Sequence, residues 1–331
     1  MERNFLKKRS MQRFAPLLAL LILVLISELL YPRFLEPQNL LNILRQISYT
    51  GIIALGMTFV IIAGGIDLSV GSMTALAGAC AVLTLNALTP TDGPGTDLWS
   101  VLIPIGGALL AAAVIGAAAG LLNGFLVTKG KITPFIATLG SMAIFRSLTL
   151  YLGNASEFRS QNSLYGDLGM SSVFMVPVPV WVFLVAAAIL SVVLNRTRYG
   201  RYTRAVGSNA KVSQFSAINV DGVRLMTYVI VGILVAFTAF LISARLNSIS
   251  STNAGKDYEM DAIAAVVIGG TAMTGGRGTV WGTVIGAIIL GIINNMMNML
   301  GVSPYLQGLV KGAVIIAAVF IQRGDLFQKR K

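Results

Sequence analysis

Long apolar runs alternate with short polar segments along this 331-residue sequence. A run of about 17 to 25 apolar residues is long enough for an α-helix to cross a bilayer. Ten candidate spans follow, at residues 14–31, 47–63, 68–88, 101–127, 134–152, 180–194, 225–244, 262–271, 280–299 and 305–321. The eighth span is too short to cross the membrane alone, and the glycine-rich stretch 269–282 follows it. Non-helical backbone of this kind is tolerated at membrane depth only when it is buried in protein. The pattern predicts an all-α integral membrane protein of about ten transmembrane helices with a broken or re-entrant element.

Composition and charge agree with the membrane class and indicate an orientation. Charged residues make up 11% of the chain, against roughly 25% in a typical soluble domain. With the N-terminus inside, most lysines and arginines fall on the inner side, chiefly in the N-terminal segment 1–13, the loop 195–224 and the tail 322–331. Because loops rich in Lys and Arg stay on the cytoplasmic side, we predict that both termini are cytoplasmic. The basic residues form no continuous face, so the net charge of +12 does not indicate a nucleic-acid partner.

Three short matches recur at an offset of about 170 residues and indicate an internal repeat. Residues 57–61, 115–117 and 132–136 reappear as 226–230, 285–287 and 302–306. The copies correspond to residues 47–152 and 225–321, within a single transmembrane domain covering 1–331. Because the offset covers an odd number of predicted helices, the copies have opposite orientations, as in transporters built from inverted repeats. Chance similarity among apolar segments is the alternative.

The sequence lacks the residues that several kinds of chemistry require. It contains no histidine and one cysteine, Cys80, so we predict no metal site. It contains no phosphate-binding loop of the Gly-x4-Gly-Lys-Ser/Thr type, so we expect no ATP hydrolysis by this chain. We therefore predict a transporter protein with no cofactor of its own, and not an enzyme.

The inner loop 195–224 has the pattern of a short amphipathic helix. It begins with a basic segment, and Ser208 or Asn209 can cap a helix whose apolar side is Val212, Phe215 and Ile218. Such a helix either lies on the lipid surface or docks a partner protein.

Four stretches of the sequence carry a resemblance to a known family. They are GGIDLSVG at 64–71, the loop 198–220, YEMDAIAAVVIGGT at 258–271, and GGRGTV at 275–280 continuing to GVSPY at 301–305. Over residues 35–321 the chain resembles the permease subunits of bacterial ATP-binding-cassette importers for simple sugars, of the ribose and galactose type within the branched-chain amino acid/ribose permease superfamily.

The resemblance implies partners, a location and a mechanism. Two permease chains, as a homodimer, would form the pore in the bacterial inner membrane. Two ATPase subunits carrying ATP and Mg would dock inside, and a periplasmic sugar-binding protein outside. ATP binding would drive alternating access, with ribose as the best-guess sugar. The ATPase-coupling segment would comprise Gly207, Ser208, Asn209, Val212, Phe215, Ile218 and Asn219.

Polar residues within the spans, and Gly65 and Asp67 at the break between the second and third spans, are candidates for the translocation path or for fixing that break. The set comprises Gly65, Asp67, Ser69, Asn123, Asn294 and Asn295. Asp67 can instead fix a helix break, and the others can bond neighbouring helices. Glu259 and Asp261 either cap the eighth helix, where negative charge suits the N-terminal dipole, or contact the binding protein. Arg146 and Lys311 fall within spans, where pairing or snorkelling to an interface is expected.

A self-sufficient secondary transporter or channel for a small polar solute is the alternative function. It predicts gradient-driven flux by this chain alone, whereas the importer predicts no transport without ATP and partner proteins.

Overall fold

The computed structural model describes residues 18–90 and 98–328 of the chain. Within these ranges the fold consists of thirteen helices and four short strands. They are α1 (Leu18–Leu30), α2 (Pro37–Ile62), α3 (Val70–Leu88), α4 (Leu98–Thr128), α5 (Pro134–Leu152), β1 (Glu157–Arg159), α6 (Ser163–Met170), β2 (Ser172–Val173), β3 (Val176–Pro177), α7 (Val178–Arg196), α8 (Arg198–Ser208), α9 (Ala210–Phe215), α10 (Val220–Leu246), β4 (Ser248–Ser250), α11 (Tyr258–Ile268), α12 (Val280–Met299) and α13 (Pro304–Gln328). The predicted N-terminal segment 1–13 lies outside the described residues.

Seven of the described helices are long and apolar enough to cross a membrane: α2, α3, α4, α5, α7, α10 and α12. The prediction of an all-α membrane protein is therefore confirmed at this level. Shorter apolar helical stretches occupy Leu18–Leu30 and Pro304–Ala317, and α11 has only 11 residues.

Two predicted boundaries differ clearly from the structure. Helix α2 begins at Pro37, ten residues before the predicted edge at residue 47. Helix α13 continues to Gln328, so most of the predicted tail 322–331 extends the helix.

The two small sheets lie at one end of the helical bundle. Strand β1 pairs antiparallel with β4, and β2 pairs antiparallel with β3. The end of α3 lies at the same end of the bundle, because the Asn86 side chain donates a hydrogen bond to the Arg159 carbonyl oxygen of β1 at 2.8 Å. We call this the β1–β4 end, and the opposite end, which carries α8 and α9, the α9 end.

Glycines allow the central helices to approach closely. A Cβ atom on Gly116 or Gly120 of α4 would overlap the carbonyl oxygen of Gly232 or Tyr228 on α10. Small residues are favoured at such contacts because backbone atoms of membrane helices then pack directly against each other. Outward-facing leucines and phenylalanines of α4 and α5 remain exposed, as expected for surfaces that face lipid.

Helix α11 is a short helix with non-helical chain on both sides. The predicted break after residue 269 is present, and a second non-helical segment, 251–257, precedes the helix. This segment reaches into the bundle, where Gly255 packs against the backbone of Gly71 at the start of α3. Arg146 of α5 holds it by donating to the carbonyl oxygens of Ser251 and Ala254, each at 2.8 Å.

The helix contacts follow a reciprocal pattern. Helix α3 packs against α4 and α5, as α11 packs against α12 and α13. Helix α2 packs against α11 and α12, as α10 packs against α3 and α4, and α2 and α10 also contact each other.

Candidate functional site

A polar cavity lies toward the β1–β4 end, between α2, α10, α11, α12 and α13. Its volume is about 460 Å³. Side-chain amides are its common feature, so we call it the amide cavity. It is lined by Asn42, Gln46, Ile47, Tyr49, Thr50, Ile242, Arg245, Leu246, Lys256, Tyr258, Asp261, Gly291, Asn294, Asn298, Gln307 and Lys311.

A largely buried ion pair forms part of the cavity wall. Lys311 Nζ of α13 lies 2.9 Å from Asp261 Oδ1 and 3.0 Å from Asp261 Oδ2. The side chains are only 17% and 9% exposed. The pair accounts for Lys311, a charged residue within a predicted span. It also joins the first turn of α11 to α13 and leaves this part of the wall without net charge.

Glu259 and Asp261 both lie in the first turn of α11. Their negative charges are favourable beside the positive end of the helix dipole. The N-cap position itself belongs to Asp257, whose side chain makes no capping hydrogen bond. Asp261 lines the amide cavity. Its carboxylate therefore lies in a cavity wall, whereas contact with a binding protein would require it at the outer surface.

The adjacent residues Asn294 and Asn295 have different environments. Asn294 is 9% exposed and lines the amide cavity, and its Oδ1 atom has no hydrogen-bond partner among the described residues. Asn295 instead exchanges hydrogen bonds with Asn39 of α2, at 2.9 and 3.3 Å. Asn294 therefore has the geometry of a ligand-facing residue, and Asn295 that of a contact between helices.

Asp67, Ser69 and Asn123 form a fully buried cluster at the break between α2 and α3. Asp67 Oδ1 accepts hydrogen bonds from the Ser69 backbone N–H at 2.9 Å and the Ser69 hydroxyl at 2.7 Å. Asn123 Nδ2 donates to Asp67 Oδ2 at 3.3 Å and to Ser69 Oγ at 2.8 Å. The cluster lines neither the amide cavity nor the cavity described next, so its geometry favours fixing the helix break over contacting a solute.

Gly65 lies in a second cavity, of about 300 Å³, at the α9 end. Its wall combines the close of α2 with the end of α4 and the starts of α5 and α10. The Tyr228 hydroxyl donates to the Ile66 carbonyl oxygen at 3.1 Å and lies close to Gly65. Gly65 is thus the one member of the Gly65–Asp67–Ser69 group that faces a cavity.

The loop 195–224 contains two short helices, α8 and α9, and Asn209 lies between them. Asn209 caps α9 by accepting a hydrogen bond from the Val212 N–H at 3.1 Å, and Ser208 is the last residue of α8. The prediction that Ile218 belongs to the amphipathic helix is wrong, because α9 ends at Phe215. A turn with Ala217 in the left-handed region follows. Asn219 then caps α10 by accepting from the Gly222 N–H at 2.9 Å.

The α8–α9 segment has one face inside the protein and one face outside. Gly207 packs against the carbonyl oxygen of Ile62 at the close of α2, with no space for a Cβ atom. The same carbonyl accepts a hydrogen bond from the Gly276 N–H at 2.8 Å. Val212 and Phe215 project outward, and Phe215 is 89% exposed. The segment thus connects an exposed apolar surface directly to the end of α2 and to the glycine-rich stretch 269–282.

Several residues of the amide cavity were not predicted from the sequence. Asn42 and Gln46 precede the predicted edge of the second span, although their spacing of four places them on one helix face. Arg245 lies with its guanidinium carbon 5.9 Å from the centre of the Tyr49 ring, a cation–π geometry. Contacts of this kind between distant segments leave no local sequence signal.

Comparison with known proteins identifies the family. Residues 39–319 match the family described as branched-chain amino acid transport system / permease component. The ribose import permease protein RbsC of Bacillus subtilis (strain 168) is 45% identical over 95% of this chain and 93% of its own length. RbsC of Escherichia coli (strain K12) is 40% identical over 96% of each chain. The galactose/methyl galactoside import permease protein MglC of the same strain is 36% identical over 92% of this chain and 91% of its own.

These matches confirm the resemblance carried by the four sequence stretches. The family match covers both described cavities and, apart from the first two residues of α2, the seven long apolar helices. The chain belongs to the branched-chain amino acid transport system / permease component family.

Proposed function

We propose that this chain is the membrane-spanning permease subunit of an ATP-binding-cassette importer. It moves a simple sugar, with ribose as the best guess, from a periplasmic binding protein to the cytoplasm. The observation that carries the proposal is the amide cavity, because its five side-chain amides offer the hydroxyl groups of a neutral sugar both hydrogen-bond donors and acceptors. The names of the relatives, which are ribose and galactose import permeases, support the same solute class.

The proposed topology has ten spans in two inverted repeats. Helices α1, α11 and α13 join the seven long apolar helices, and residues 47–152 and 225–321 form the repeats. The reciprocal packing of α2–α5 and α10–α13 supports this arrangement, since repeats related by an axis in the membrane plane make equivalent contacts. The excess of basic residues at the α9 end supports a cytoplasmic location for that end and for both termini in the inner membrane.

The α8–α9 segment is the proposed docking site for the ATPase. Its exposed Val212 and Phe215 offer an apolar contact. Gly207 transmits a displacement because its backbone is packed against Ile62 and lies beside Gly276. ATP and Mg bind to the ATPase, and this chain contributes no cofactor.

The positions of the two cavities support alternating access. The amide cavity lies toward the β1–β4 end and receives the sugar from the binding protein. The Gly65 cavity lies at the α9 end, and movement of α8–α9 by the ATPase alters the contacts of α2 that border it. A second copy of the chain completes the pore as a homodimer.

Replacing Phe215 by serine tests the docking site. We expect Phe215→Ser to reduce co-purification of the ATPase by about tenfold, because an apolar anchor at an interface is worth about 1.5–3 kcal/mol. The measurement is a pull-down of the tagged permease from its host in mild detergent, followed by quantification of the ATPase per permease.

Phe174→Ser is the matched control, because Phe174 is 88% exposed at the opposite end of the molecule. It is expected to leave the amount of ATPase unchanged. Equal recovery of the ATPase with Phe215→Ser and wild type would contradict the proposed docking site. A wild-type chain that purifies alone and transports solute without ATP would instead support a secondary transporter.

A further inference from the structure

We propose that the amide cavity is a recognition site for a neutral polyhydroxylated ring, and that the permease therefore selects its solute in addition to conducting it. The inference rests on the proposed function, because it assigns binding residues to the path of the same sugar. The amide cavity has a volume of about 460 Å³, which falls within the range of roughly 300–1,000 Å³ found for small-molecule sites.

Asn294 provides the main argument for a ligand. Its side chain is nine-tenths buried and lines the cavity, yet its Oδ1 atom has no partner among the described residues. A buried acceptor without a hydrogen bond is destabilising, and a sugar hydroxyl in the cavity would relieve this by donating to it.

The other amides of the wall match the same chemistry. Asn42 and Gln46 lie on α2, and Asn298 and Gln307 lie on α12 and α13 across the cavity. Gln307 Nε2 donates to Asn298 Oδ1 at 2.9 Å, which orients both side chains. Amides supply donors and acceptors together, as hydroxyl groups do, so they can bond a ring that carries several hydroxyls in different directions.

The charges of the cavity disfavour cationic solutes. Asp261 is the only acid among the described lining residues, and Lys311 neutralises it at 2.9 Å. Arg245 and Lys256 add positive charge to the same wall. An amine would therefore find no free carboxylate and would be repelled by two cations.

A branched-chain amino acid also fits poorly. The aliphatic side chains in the lining are Ile47, Ile242 and Leu246, a minority beside the amides, tyrosines and charges. Placing an isobutyl group there would leave buried polar groups without hydrogen bonds. Unpaired polar groups reject a wrong ligand more strongly than a poor fit in an apolar pocket does. The cavity thus favours sugars over the amino acids for which the family is named.

Binding of tritiated D-ribose to the permease–ATPase complex in lipid nanodiscs, without the binding protein, tests the inference. Wild type is expected to bind saturably, with competition by unlabelled D-ribose and none by L-leucine. Asn294→Leu, which keeps the side-chain volume, is expected to weaken binding by about tenfold, the value of one buried hydrogen bond. Gln46→Leu, at an exposed position of the wall, is expected to fold normally and to weaken binding by about threefold.

The double variant Asn39→Leu/Asn295→Leu is the matched control. It removes neighbouring amides of α2 and α12 that bond each other and do not line the cavity, so ribose binding is expected to stay within twofold of wild type. Absence of saturable ribose binding, equal competition by leucine, or unchanged binding in both Asn294→Leu and Gln46→Leu would overturn the inference. ATP-dependent ribose uptake by the complete importer would remain intact in that case, which separates this failure from a failure of the proposed function.

Discussion

Replacing Lys311 by methionine is expected to destabilise the protein by about 3–5 kcal/mol. The substitution keeps an unbranched side chain one heavy atom shorter but removes the partner of Asp261, whose side chain is 9% exposed. The Asp261 carboxylate would then be buried without a counter-charge, which is costly. We expect a strongly lowered apparent melting temperature and loss of the monodisperse peak in size-exclusion chromatography in detergent.

The double variant Asp261→Asn/Lys311→Met separates the charge effect from the loss of packing. It removes both charges while keeping similar shapes, so most of the lost stability is expected to return, as for other buried pairs replaced as a unit. A single Lys311→Met protein as stable as wild type would show that the ion pair does not hold α11 against α13. A double variant as unstable as the single one would show that charge burial is not the cause.

Replacing Gly116 by leucine is expected to destabilise the protein by about 3 kcal/mol, at the upper end of the usual cost of overpacking. The added Cβ atom would overlap the Gly232 carbonyl oxygen and lie 2.8 Å from the Ala236 Cβ atom. The Gly232 carbonyl oxygen is a backbone atom of α10, and the Ala236 Cβ atom is bonded directly to that backbone. Neither atom can move aside unless the two helices separate. Thermal unfolding of the purified protein in nanodiscs measures the effect.

Gly106→Leu is the matched control on the same helix. A Cβ atom at Gly106 has no neighbour within 4 Å, so leucine is expected to change stability by less than about 0.5 kcal/mol. Equal melting temperatures for the two variants would contradict the close α4–α10 packing.

Helix positions were predictable where hydrophobicity and capping signals agree. The predicted spans 134–152 and 280–299 coincide with α5 and α12. Pro134 begins the first of these at a position that favours proline, and Thr279 caps the second by accepting from the Gly282 N–H at 3.0 Å. Here a single local residue fixes the start of the helix.

The start of α2 shows why other boundaries were missed. Asn42, Arg45 and Gln46 interrupt the apolar pattern in the first turns of the helix, so hydropathy placed the edge at residue 47. In the structure Asn42 and Gln46 face the amide cavity. A helical segment that lines a polar cavity has the same polar composition as a loop. Only the tertiary packing distinguishes the two.

The candidate site was predictable as a set of residue types but not as an arrangement. Polar residues in and between the spans were recognised, yet Asp67 and Asn123 bond each other while Asn294 lines a cavity. The neighbouring Asn294 and Asn295 differ in role because α12 turns about 100° per residue and directs only one of them to the cavity. The sequence carries the periodicity but not the identity of the facing helix.

Uptake of labelled ribose into proteoliposomes tests the central claim most directly. The liposomes contain the permease with its ATPase, ATP and Mg inside, and the sugar-loaded binding protein outside. The account predicts ribose accumulation that requires ATP, the ATPase and the binding protein together. Ribose flux through the permease alone, driven only by its own gradient at the same rate, would contradict it.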